Sequence, residues 1–166
     1  NFDLALLKWG CLKLIEICEK LKINDPLLWE WEKINDQLVD YPVDELGYRL
    51  GSDKTSPKDH QHMSHLMMIY PLYLENTDSS EDQNLLEKSV RNFQPATMPK
   101  MGASQSSPAA AALGLGNLAH QRMNEILYRD EENETLGING IYYLATPCIE
   151  TSLSYNTCVQ DMMLQS

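Results

Sequence analysis

Apolar residues at the start of the chain return at alternating steps of three and four. Leu4, Leu7, Cys11, Leu14, Cys18 and Leu21 form one stripe, and Leu6, Trp9, Leu12, Ile15 and Ile17 widen it. That period is helical, and a stripe this wide predicts a helix covered on more than one side. Asn24-Asp25-Pro26 ends it. Asp25 is placed to cap a second helix, with Pro26 at its first position, where a missing N–H does no harm. The second helix sends Leu27, Leu28, Trp31, Ile34 and Leu38 inward and Glu30, Glu32, Lys33 and Asp36 outward. So short a link between two helices predicts an antiparallel hairpin.

Residues 40–59 have no clean period and are rich in Asp, Gly and Pro, so a loop is expected. Residues 62–74 read as a helix in their first turns, broken at Pro71. Ser79-Ser80-Glu81 opens a short amphipathic helix with Leu86, Val90 and Phe93 on one side. Residues 94–107 read as an irregular connection. Ser107-Pro108 then opens a helix to about Tyr128, striped by Ala112, Leu115, Ala119, Met123 and Ile126. Its alanines and glycines predict close approach of neighbouring helices. Residues 129–135 are a charged turn, and 137–150 a loop with a short strand. A last helix over 152–165 puts Tyr155, Cys158, Val159 and Met162 on one face. The expected class is all-α: antiparallel helix hairpins with long loops, as in an α/α toroid or an α-solenoid. Residues 1–166 read as a single domain or as part of a larger one. Both ends run in helical register, so a preceding part of the same polypeptide is expected.

Charge narrows the partners. A net charge of -11 argues against nucleic acid, which needs a basic face. The longest apolar stretch, 4–23, is interrupted by six charges, so no membrane span is expected. Cys11 and Cys18 share a helix face about 10 Å apart, too far for a disulfide. With Cys148 and Cys158 they read as small buried thiols. There is no phosphate-cradling glycine loop and no nucleophile elbow, and no cofactor is expected.

Candidate chemistry gathers in two places. Three of the four histidines lie in His60-Gln61-His62-Met63-Ser64-His65-Leu66, followed by Ile69-Tyr70-Pro71. These imidazoles suit backbone capping, a polar ligand pocket, or a metal site that would need further ligands. Glu150 follows Pro147-Cys148-Ile149 just ahead of the last helix, whose N-terminal amides stabilise a carboxylate. It reads as a helix cap or as a catalytic carboxylate. Tyr70, Tyr73, Tyr142 and Tyr143 lie near the same loops and offer faces for stacking or ordinary packing.

The histidine segment resembles the HxHxSHLxxxYP stretch of glycoside hydrolase family 95. Ile149-Glu150-Thr151-Ser152-Leu153, with Asp161-Met162-Met163-Leu164-Gln165-Ser166, is similar without gaps to that family's IDGNFG…EMLLQS ending. Between them Ser107, Ala109 and Leu118 fall where the family has a tryptophan-flanked serine helix. The resemblance implies part of an (α/α)6 toroid and inverting, exo-acting hydrolysis of α-L-fucosyl or α-L-galactosyl linkages. It implies a carbohydrate ligand held by His60, His62, His65 and Ser107. Glu150 takes the place of an aspartate that activates water. The family's general acid would precede Asn1, and a periplasmic or secreted setting is implied. Glu150 is one methylene longer than the aspartate, Thr151 and Ser152 replace glycine and asparagine, and alanines replace the tryptophans. These departures fit another sugar, or an inactive carbohydrate-binding or scaffold domain. An α-helical repeat that binds other proteins is the third reading.

Overall fold

The computed structural model describes residues 1–54, 62–77, 80–93, 99–127, 137, 140–143 and 147–164. His60, the charged turn 129–135 and the final Gln165-Ser166 lie outside them. The described residues are mostly helical, with six α-helices and two two-stranded ribbons. An all-α class is what the periodicity predicts.

The first two helices, α1 (Phe2–Leu21) and α2 (Leu28–Gln37), pack as a hairpin. Lys22 ends α1 in the left-handed region, with φ of 54°. Asp25 caps a turn rather than the helix itself. Its carboxylate accepts from the Leu27 N–H at 2.8 Å, one residue ahead of α2. The wide stripe on α1 is not covered on several sides. Ala5, Cys11 and Cys18 are buried, while Leu7, Leu14, Ile17 and Leu21 face solvent. Leu27 just ahead of α2 and Ile34 within it are also exposed, and no residue of α2 is fully buried.

The 40–59 stretch is not all loop. β1 (Val43–Asp44) and β2 (Gly47–Tyr48) pair antiparallel, Val43 against Tyr48. Gly47 is required there, because its φ is +119° and a Cβ would strike the Ser89 backbone. Ser89 lies on α3 (Ser80–Asn92), and its hydroxyl accepts the Tyr48 N–H at 2.9 Å. Leu86, Val90 and Phe93 are buried on one side of α3, as the pattern predicts.

Residues 62–74 are mostly turn; only Ser64–Leu66 is helical, as a single 3₁₀ turn. Backbone bonds from Leu72 N–H to Met67 and from Leu74 N–H to Met68 fold the segment back on itself. Its Leu66, Met68 and Ile69 are buried in the main core.

Over 99–127 the structure departs from the single helix expected after Ser107. Helix α4 (Pro99–Ala112) begins well before Ser107 and carries Pro108 inside it. The chain then turns at Gly114 and resumes as α5 (Gly116–Leu127). The turn is a Schellman-type stop: Leu115 N–H reaches Ala110 O, Gly114 N–H reaches Ala111 O, and Gly114 has φ of 71°. Proline looks like a helix start because it is tolerated there; inside a helix it removes one ladder bond and crowds the carbonyl four residues back, a cost that the packing around α4 must offset. Ala109, Ala110 and Ala111 are fully buried, which lets α4 lie close to both α5 and α6 (Ile149–Met163). A ribbon of β3 (Tyr142–Tyr143) and β4 (Pro147–Cys148) leads into α6. All four cysteines are free and buried.

Candidate functional site

Three segments of the chain meet around an open cleft of about 310 Å³. The 62–71 turn contributes His62, Ser64, Met67 and Tyr70; α4 contributes Ser104 and Gln105; α6 contributes Ser154 and Thr157. The packing of α4 on α6 fixes two walls. Gln105 fixes the third, because its Oε1 accepts the Met63 N–H at 2.8 Å. The Gln105 Nε2 lies 3.5 Å from His62 Nδ1. One amide thus clamps the turn to the helix and orients the imidazole. Met63, Met67, Pro71 and Pro108 give the cleft an apolar lining between the polar groups. Neutral donors and acceptors over apolar surface suit a small polyhydroxylated ligand.

The predicted site residues separate. His62 lines the cleft. His65 is only 1% exposed and lies against Phe93, ring centroids 5.7 Å apart, inside the core. Ser107 is also buried: its hydroxyl donates to Ala119 O at 3.1 Å and sits 2.6 Å from Cys158 Sγ. It holds α4 to α5 and α6 and is not part of the cleft wall. Glu150 is exposed in the first turn of α6. It shares the helix face of Ser154 and Thr157, four and seven residues on, and lies one turn beyond the lining. Glu150's own backbone N–H, together with the Cys148 thiol donating at 3.2 Å, holds its carboxyl below the usual glutamate range. It is therefore ionised at neutral pH.

Ser104, Gln105, Ser154 and Thr157 are polar cleft residues that sequence reasoning missed. Ser154 and Thr157 carried a signal, being small polar residues three apart beside the Tyr155, Cys158, Val159 and Met162 stripe. Gln105 carried none, since its helix was read as irregular. Tyr70 reaches further: its ring lines the cleft and its hydroxyl lies beside the Asp161 carboxylate. Burial, and then the Asp161 charge, push the Tyr70 hydroxyl well above an ordinary tyrosine. Among the described residues no three His, Cys, Asp or Glu side chains are grouped to hold a metal ion.

No model of a known protein family matches the chain, and no curated protein does.

Proposed function

We propose that this cleft holds a sugar and that the chain supplies one wall of an inverting glycoside hydrolase built on an (α/α)6 scaffold. The linkages would be α-L-fucosyl or α-L-galactosyl. One observation carries the reading: His62, Gln105, Ser154 and Thr157 come from three segments to one opening, with Glu150 a turn away on the same face of α6. Hydroxyls around a pyranose ring need such alternating donors and acceptors, and its C–H face needs the apolar lining. Inversion needs an ionised carboxylate that takes a proton from the attacking water. Glu150 is ionised and reachable by water. The acid that protonates the leaving oxygen is assigned to another stretch of polypeptide.

A second reading, a carbohydrate binder without turnover, is favoured by the same carboxylate. A depressed pKa makes Glu150 a weak base, and its exposure leaves it far from the low-dielectric setting that sharpens such groups. The test is release of p-nitrophenol from p-nitrophenyl α-L-fucoside and α-L-galactoside. That leaving group departs without protonation, so the assay reads the base half alone. Turnover that falls about a hundredfold in Glu150→Gln supports the hydrolase. Saturable binding without release supports the binder. Neither binding nor release removes both readings.

A further inference from the structure

One face of α1 has no cover among the described residues. Leu7, Leu14, Ile17 and Leu21 are 47%, 40%, 47% and 67% exposed, and Leu6 beside them 42%. With Gly10 they run 7, 10, 14, 17, 21 along the helix. Alternating steps of three and four are the spacing of a seam that meets a second helix. The buried Ala5, Cys11 and Cys18 lie off this seam. Gly10 stands near its middle. Glycine weakens a helix interior, and a Cβ at this one would meet nothing within 4 Å, so no packing among the described residues requires it. A glycine between exposed leucines leaves a gap that a large side chain of an opposing helix can fill.

We infer that this face pairs with the same face of a second copy of the chain, the two α1 helices running antiparallel about a two-fold axis. Such a contact must complement itself. In the antiparallel register Leu14 of each copy lies over Gly10 of the other, Leu7 lies over Ile17, and Asp3 reaches the end that carries Lys20. A parallel pair would set Asp3 against Asp3 and Lys20 against Lys20. Net charge also favours this face. Lys8, Lys13 and Lys20 balance Asp3, Glu16 and Glu19 on α1, while the whole chain carries -11 and repels its like elsewhere. The five apolar side chains expose roughly 400 Å² per copy. An interface about 60% apolar would then hide about 1,300 Å² over both copies, at the lower end of specific interfaces, so the dimer is reversible. α1 contributes no residue to the sugar cleft, and the pairing is independent of what binds there.

The test is sedimentation equilibrium of the whole chain from about 1 to 500 μM, where a monomer–dimer equilibrium is expected. Gly10→Glu enters open space and replaces a poor helix former. At concentrations where the parent is monomeric, its circular dichroism and melting temperature should therefore match the parent or improve. Its dimer should weaken about tenfold or more, because the seam would bury an unpaired charge, and Leu14→Lys should do the same. Gly10→Glu and Leu14→Lys in one chain set opposite charges over each other in the antiparallel register alone, and should restore most of the affinity. Three results would each overturn the inference: a monomer at every concentration, which gives the face to another helix; a dimer indifferent to both single substitutions; or a double variant that is not rescued.

Discussion

Ser107→Ala separates a structural serine from a ligand-binding one. The substitution removes a hydroxyl with no exposure to water. It deletes the 3.1 Å bond to Ala119 O and leaves the Cys158 thiol facing a methyl group. A net neutral hydrogen bond is worth about 1 kcal/mol, and an abandoned buried partner adds to that, so the loss should be about 1–2 kcal/mol. For a chain of this length the melting temperature should fall by about 2–8 °C. Urea unfolding followed by far-UV circular dichroism measures it directly. The midpoint should drop while the slope stays constant, since the unfolded surface is unchanged. Sugar affinity in native buffer should stay as in the parent, because Ser104, Gln105 and Pro108 line the cleft and Ser107 does not. An unchanged midpoint together with lost sugar binding would instead return the hydroxyl to the cleft.

Gly47→Ala should destabilise by about 2 kcal/mol or more, from a disfavoured φ and a Cβ 2.8 Å from Ser89 Cα. Faster hydrogen exchange at the Tyr48 amide would report the loosened ribbon. The Glu150 carboxyl should titrate by NMR below an ordinary glutamate, and Cys148→Ala should move it back up. Its folded pKa is the lower one, so the stability it adds is complete above the unfolded value and disappears as pH falls through the folded one. Tyr41 should ionise only near pH 12, because burial, and then the charge of Glu75, hold its hydroxyl neutral. Here the folded pKa is the higher one. The associated stability is intact below about pH 10 and is lost as pH rises toward the folded value, which alkaline absorbance titration and unfolding will show together.

The pattern reading succeeded where one face meets a core. Leu86, Val90 and Phe93 on α3 and Cys158 on α6 are buried as their spacing requires. It failed where local chemistry and packing disagree. Pro108 and the glycines after it hid α4, whose alanine run is stabilised by contact with two neighbours rather than by propensity. Met63 to Leu74 carries a helix-like apolar run, yet it folds as turns because Leu66, Met68 and Ile69 must all reach the core from a short segment. On α1, apolar residues all round the helix suggested burial, but only the small side chains of Ala5, Cys11 and Cys18 are buried. At the site, imidazole density drew attention to His62, which lines the cleft, but said nothing of depth, so His65 in the core looked the same as its neighbour. Gln105, the residue that ties turn to helix, is one polar letter among many and becomes visible only when Met63 is seen donating to it.

The most direct measurement is chemical-shift mapping of the chain with methyl α-L-fucoside and methyl α-L-galactoside. Saturable shifts concentrated at His62, Gln105, Ser154 and Thr157, and abolished in His62→Ala/Thr157→Val, are the predicted result. Shifts absent at saturating sugar, or scattered away from those four residues, would contradict the account.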